Sequence, residues 1–473
     1  MGERPNILLV MTDQQRGDCL GVEGHPCLQT PNLDELASGG TRFTSAYSTC
    51  PVCIPARRSL LSGQYPHRHG MVGYADQCAW DPPGTLPGIL RDAGYQTHLA
   101  GRSMHQHPPR KRFGYEEMVL GQEDYSRWLS ALLPVDTEHD SPGPYYSTGV
   151  AHNDWTARPW PHPEDLHQTN WTIQQARRFL RRRDPDCPFF LTVSFLAPHP
   201  PLIPPPFYFD RYLRATLPDP VIGNWAEPPP GSFAVNATRV DLQGEALRSC
   251  QAGYFGLINH VDDQLHRLLY GIAGLPGFNP ENTLVIFCSD HGEMLGDHYR
   301  FRKSLPYEGS ARIPFLVRLP RSEEGARRGA VSEVPVCLED ILPTCLEAAG
   351  LPIPDWVDGC SLLPLLRGEA SSVGREWIRI EMGGTADAFH ALTDGREKYI
   401  WFSRSGREQL FDLVRDPREM DDLASDAPER LDLWRSRLVE QLAQRPEGFV
   451  RDGELCPGRA HRKLIPPGSV RDA

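Results

Sequence analysis

Asn6-Ile7-Leu8-Leu9-Val10-Met11-Thr12-Asp13-Gln14 decides the architecture. A short, unbroken apolar run that ends directly in a carboxylate and a carboxamide reads as a core strand covered on both faces. The pattern recurs along the chain. Phe189–Phe195 leads into Pro198-His199-Pro200, and Thr283–Cys288 leads into Asp290-His291-Gly292-Glu293. Thr97–Ala100 and Phe315–Leu319 are further strands. Helical patterns stand between them. Thr30-Pro31 opens one, with Thr as N-cap and Pro at the first helical position. A second starts just after Cys53 and stops before Gly63. Leu86–Ala93 has Thr85 as N-cap and Gly94 past its end. Trp171–Arg183 and the long amphipathic Leu242–Leu269 complete the set. This alternation predicts an α/β fold over 1–370, a large, mostly parallel sheet sandwiched by helices.

The texture changes near residue 370. Trp377–Glu381, Phe389–Leu392 and Lys398–Phe402 read as antiparallel strands, with Asp394-Gly395 as a turn and a helix over about Glu429–Ala443. Residues 371–445 are therefore expected to form a small α+β C-terminal domain, and 446–473, rich in Pro, Gly and Arg, an extended tail that could wrap a neighbouring subunit in a homo-oligomer. Pro134–Pro163 and Pro198–Pro230 resist assignment. The second holds eleven prolines, and long segments of this kind serve as lids or rims.

The 473 residues are 40% hydrophobic, enough for a sizeable core and against disorder. With 49 basic and 61 acidic side chains, the net charge of −12 argues against a general binder of nucleic acid or anionic membranes. No apolar run approaches the ~18–20 residues a membrane span needs. The twelve cysteines are scattered, without a small-domain disulfide pattern. A reduced, cytoplasmic protein is expected.

Ligands of open parallel sheets bind beyond the carboxyl ends of the strands, so Asp13, Gln14, Asp290 and His291 are expected to converge although far apart in sequence. Two carboxylates, an amide oxygen and an imidazole suit Ca2+, Mg2+ or Mn2+. Each Asp taken alone reads better as a helix or turn cap, and it is the joint placement that favours a metal. Pro51-Val52-Cys53-Ile54-Pro55-Ala56-Arg57 puts a cysteine at a helix start with an arginine one turn along, a seat for an oxyanion. Cys50 and Cys53 also form a C-x-x-C. No second pair supports zinc, no thioredoxin-like context supports a redox pair, and an inert core thiol is the plain reading of Cys53 by itself. His67-Arg68-His69 fits a site role or packing against the turn about equally. Arg177-Arg178 and Arg181-Arg182-Arg183 read as a solvated helix face. Trp80, Trp155, Trp160, Tyr145 and Tyr146 read as loop anchors ahead of a substrate mouth.

Cys53-x-Pro55-x-Arg57 with its following Leu-Leu-x-Gly resembles the signature of the sulfatase family within the alkaline-phosphatase-like fold. Gly94-Tyr95-Gln96-Thr97-His98-Leu99-Ala100-Gly101-Arg102-Ser103-Met104-His105 is similar to a second family motif that ends Ala-Gly-Lys with a His shortly after. The opening strand-Asp, Thr30–Ala37, the Pro-His-x-Pro loop, the Ser-Asp-His-Gly-Glu block and Gln409–Leu413 follow in order, so the resemblance covers nearly the whole chain.

The resemblance implies hydrolysis of a small-molecule sulfate monoester. Cys53 would be oxidised to formylglycine by a formylglycine-generating enzyme. One hydroxyl of the hydrated aldehyde would attack sulfur, and loss of a proton from the other would release sulfate. Asp13, Gln14, Asp290, His291 and the modified Cys53 would hold one divalent ion, Ca2+ ahead of Mn2+ or Mg2+. Arg57 would hold the diol, and His105 would be the base. His199 and Lys303 would clamp the sulfate together with Arg102, and one of the two would protonate the leaving oxygen. Gln14, Ala56 and His291 depart from the commoner Asp, Ser and Asn, Ile54 stands where a small residue is usual, and Arg102 stands where Lys is usual. The Gln, His and Ala choices are similar to the choline sulfatase and phosphonate monoester hydrolase branches. Hydrolysis of a phosphonate monoester or phosphodiester is thus the alternative, and a non-catalytic binder of sulfated ligands a third reading.

Overall fold

All eight residues of Asn6–Asp13 are buried, as a strand covered on both faces requires. The computed structural model describes residues 4–133, 148–231, 234–270 and 279–466. Its main sheet has β1 (Asn6–Asp13), β2 (Thr41–Phe43), β3 (Gln96–Gly101), β4 (Glu117–Leu120), β5 (Phe189–Pro198), β6 (Thr283–Ser289), β7 (Phe315–Arg318) and β8 (Ala330–Ser332). The spatial order is β4-β3-β5-β1-β6-β7-β2-β8. Among these strands, only β7 runs antiparallel to its neighbours. The short strands β2, β4 and β8 carry too little apolar sequence to be read in advance.

The period of two along β1 divides the interior. Leu8 and Val10 face one core with Leu191, Val285, Ile258 and Val261, and Ile7, Leu9 and Met11 face the other with Phe190, Ile286, Ala56 and Leu60. Helices cover both faces: α1 (Pro31–Ser38), α2 (Cys53–Ser62), α3 (Leu86–Asp92), α4 (Gln168–Arg182), α5 (Pro206–Leu213) and α6 (Gly244–Leu269). Thr85 caps α3 through the Gly88 N–H, as expected. Thr30 makes no side-chain cap. The Asp262 carboxylate on α6 accepts the Asn32 and Leu33 N–H groups instead, at 3.2 and 2.8 Å. Within the Pro-rich 198–230 stretch, α5 packs Tyr208, Phe209 and Tyr212 inward, with Pro206 opening the helix where its missing N–H is harmless. Tyr145, Tyr146 and the rest of 134–147 in the first unassigned stretch lie outside the described residues.

A separate antiparallel sheet follows: β9 (Ile378–Met382), β10 (Phe389–Thr393), β11 (Glu397–Phe402) and β12 (Glu408–Asp412), in sequential order. Helix α7 (Pro428–Leu442) covers one face through Leu431, Trp434 and Leu438. The other face packs on Tyr47, Cys50, Val52 and Tyr307 and so shares a core with the segment leading into α2. The chain beyond 445 runs back over its own fold. Phe449 is fully buried, the Val72 N–H donates to the Lys463 carbonyl at 2.9 Å, and His461 stacks on His390. Glu381, His390 and His461 cluster beneath it, but the Arg445 guanidinium already holds the Glu381 carboxylate at 2.7 Å, so the cluster is an ionic network. Among the described residues, no helix is long and apolar enough to cross a membrane.

Candidate metal and nucleophile site

Four strands that lie side by side, β3, β5, β1 and β6, each deliver polar groups from their carboxyl ends: Arg102, His199, Asp13 with Gln14, and Asp290 with His291. Helix α2 enters across this edge with Cys53 as its first residue. The Cys53 Sγ lies 3.3 Å from His291 Nε2, 3.3 Å from Lys303 Nζ, and 3.8 Å from both Asp13 Oδ1 and Arg102 Nη2. One turn on, Arg57 bridges the two acids, from Nε to Asp290 at 2.8 Å and from Nη2 to Asp13 at 3.1 Å. Its Nη1 donates to Ser194 Oγ at 3.0 Å. Cys50 points elsewhere, its sulfur 3.8 Å from that of Met382, so the C-x-x-C is not a working pair.

Charge density sets the protonation states. Burial alone would raise the Asp13 carboxyl, but Arg102, His199, Lys303 and Arg57 outweigh it and hold it well below its ordinary range. Burial and Asp13 push the Cys53 thiol up, yet Lys303 and His291 bring it below its ordinary value. His291 is buried, which disfavours its charge, but Asp290 raises it. Its Nδ1 donates to the Gly292 carbonyl at 3.0 Å, which turns Nε2 toward Cys53. Burial, then Arg102, lowers His105 to about 3. Burial, then Lys303, holds His199 well below its ordinary value.

Residues 5–351 match the family model described as Sulfatase. The chain belongs to the sulfatase family. Residues 296–447 of this sulfatase match a second model, described as N-sulphoglucosamine sulphohydrolase, C-terminal. It is 38% identical to an arylsulfatase of Clostridium perfringens, over 96% of this chain and 98% of that protein. It is 30% identical to a choline-sulfatase of Rhizobium meliloti, over 89% and 82%. The crystal structure of the phosphonate monoester hydrolase of Agrobacterium radiobacter superposes with a TM-score of 0.76 at 28% identity, covering 93% of this chain and 96% of that one. The chain is thus a sulfuric ester hydrolase on the alkaline-phosphatase-like fold.

The family's divalent ion fits the residues present. Donor atoms of Asp13, Cys53, Asp290 and His291 lie within 4.8 Å of one another, all buried, and Gln14 Oε1 faces Lys303 beside them. Oxygen donors with one imidazole suit a hard or borderline cation. Every residue expected at the site comes to this edge. His105 is held there by the Arg102 Nη2 at 3.0 Å, and His199 by its Nδ1 on the Pro200 carbonyl at 2.7 Å.

Three contributors to this candidate site carry no readable signal in the sequence. Ser194 lies inside an apolar strand, His152 stacks on His199 from the unassigned stretch, and Tyr254 donates to the Gln14 carbonyl from mid-helix. His67 and His69 serve packing. His69 meets Ser59 Oγ at 3.2 Å and His67 stacks on Tyr65. Trp80 lies under the Arg58 guanidinium, and Trp160 is buried with its Nε1 on the Pro163 carbonyl, both as anchors.

Proposed function

We propose that this sulfatase hydrolyses a small sulfate monoester through a formylglycine made from Cys53 by a formylglycine-generating enzyme, with one divalent ion, Ca2+ ahead of Mn2+ or Mg2+, at Asp13, Gln14, Asp290, His291 and the modified side chain. The single observation that carries this is the Cys53 sulfur at the start of α2, 3.3 Å from both His291 Nε2 and Lys303 Nζ. When bound, the ion supplies a Lewis acid, and the oxidised Cys53 a hydrated aldehyde as nucleophile.

This chain's residues do the remainder. Arg57 fixes Asp13 and Asp290 and sets a positive charge beside the nucleophile. Arg102 and Lys303 neutralise the sulfate oxygens. His105 stays uncharged at neutral pH, because burial and then Arg102 hold it at about 3, and it is the base that frees the sulfate once the substrate draws the Arg102 guanidinium off its Nε2 lone pair. His199 places its Nδ1 proton on the Pro200 carbonyl. Neutral, it then has no proton on Nε2, so Lys303 is the donor to the leaving oxygen.

Relatives named arylsulfatase and choline-sulfatase favour an aryl or small alcohol ester. A cytoplasmic location belongs to this reading, supported by twelve unpaired thiols. Gln14 and His291, which lower the negative charge around the ion, and the fold shared with a phosphonate monoester hydrolase favour phosphonate monoesters as the second reading. Mass spectrometry of the Cys53 peptide, with parallel rates on an aryl sulfate and an aryl phosphonate ester, tests both. The expected result is an aldehyde at position 53, faster sulfate turnover, and no turnover by Cys53→Ala. An unmodified thiol in active protein would overturn the mechanism, and faster phosphonate turnover would select the second reading.

A further inference from the structure

Gln14 stands between two partners of opposite hydrogen-bonding character. Lys303 Nζ, a donor only, lies 2.7 Å from Gln14 Oε1. The Glu293 carboxylate, an acceptor, takes the Gln14 Nε2. One orientation of the amide satisfies both, with nitrogen toward Glu293 and oxygen toward Lys303. Lys303 Nζ also lies 3.3 Å from the Cys53 sulfur, so the oxygen faces the space where the nucleophile and the ion's ligands meet. Reversing the amide would set donor against donor at Lys303 and turn an NH2 toward that space.

Glu293 is itself immobile. It is 4% exposed, and its Oε1 accepts from the Leu295 N–H at 2.9 Å and from the Arg302 N–H. The Gln14 backbone cannot swing to compensate. Its φ is 72°, a left-handed conformation costly for a side chain with a Cβ, and the Tyr254 hydroxyl holds its carbonyl at 2.7 Å.

We propose that Glu293 is a positioning residue of the metal site, which locks the Gln14 amide with its oxygen toward the ion. Partners behind a ligand commonly govern its affinity in this way. The inference rests on the metal reading above, and its test reads the ion directly rather than turnover.

Ca2+ is titrated calorimetrically into the metal-stripped full chain, as wild type, E293Q, E293A, Q14A and Q14A/E293Q. In E293Q the new amide keeps an oxygen for the Leu295 and Arg302 N–H groups and turns its NH2 on the Gln14 Nε2, so that neither orientation of the Gln14 amide satisfies both Lys303 and residue 293 and the lock is lost. The expected loss of Ca2+ affinity is about ten- to hundredfold. E293A, which leaves the amide free, should lie between wild type and E293Q. In the Q14A background, E293Q should change affinity less than about threefold, since nothing remains to orient. Unchanged affinity of E293Q, equal losses in both backgrounds, or a larger loss in E293A than in E293Q would each overturn the proposal. If E293Q does not fold, E293A binding as wild type overturns it equally. A wild type that binds neither Ca2+, Mn2+ nor Mg2+ would remove the metal reading, and this inference with it.

Discussion

Arg57 is 4% exposed and joins two fully buried carboxylates, so its role is electrostatic before it is chemical. Its planar fork reaches Asp13, Asp290 and Ser194 at once, which a lysine ammonium on a flexible stem cannot do. Arg57→Lys is expected to lower kcat by about a hundredfold while the protein still folds. Arg57→Ala, which leaves the buried Asp290 carboxylate without its guanidinium, should also cost about 3–5 kcal/mol of stability in urea unfolding. Equal kcat for Arg57→Lys and wild type would argue against the bridging role.

Among the helices, α2 is the device that aims Cys53. It begins at Cys53 and stops at Gly63, whose φ of 69° closes the helix with its N–H on the Ser59 carbonyl. A Cβ at position 63 would stand 2.9 Å from the Val357 Cγ1, in a backbone region where L side chains are strained. Gly63→Ala should therefore lower stability by about 1–2 kcal/mol and lower kcat as the helix shifts. Thr85→Ala, which removes the N-cap of α3 away from the site, should cost about 1 kcal/mol with kcat unchanged. Melting curves and turnover on the two variants separate aim from stability. If Gly63→Ala melts and turns over like wild type, the stop at residue 63 does not aim Cys53.

Across the molecule, buried polar groups tie the segment leading into α2 to the C-terminal third of the chain. Glu339 is fully buried, accepts the Thr49 hydroxyl, and is pushed up to about 7 by burial, which its hydrogen bonds only partly offset. A carboxyl raised in the folded state holds its full stabilisation below the unfolded value, near 4, and loses it as pH climbs through about 7. Wild-type stability should thus fall between pH 5 and pH 8 relative to Glu339→Gln, which carries no charge to bury. Melting temperatures of the two proteins across that range check it, and a constant difference would refute it. The Glu381 N–H on the Thr49 carbonyl at 2.9 Å fastens the C-terminal sheet to the same segment.

Legibility follows range. Periodicity places β1, β5, β6, α4 and α6 to within a few residues, because apolar runs and helical spacing are local. Strand ends and the Cys53 motif name the residues that meet at the site, since a parallel sheet presents its carboxyl ends along one edge. Helix α5 is hidden because prolines at a helix start read as loop, and Thr30 reads as a cap although a carboxylate from α6 does the capping. Local patterning in the residue order is enough for the sheet, the cast of acids, histidines and cations, and the family. Three-dimensional packing alone sets how Glu293 and Lys303 fix one amide, how Arg57 spans two acids, and how the C-terminal sheet shares a core with the α2 segment. Those are contacts between groups up to hundreds of residues apart, and hydrogen bonds and burial act through space whatever the distance along the chain.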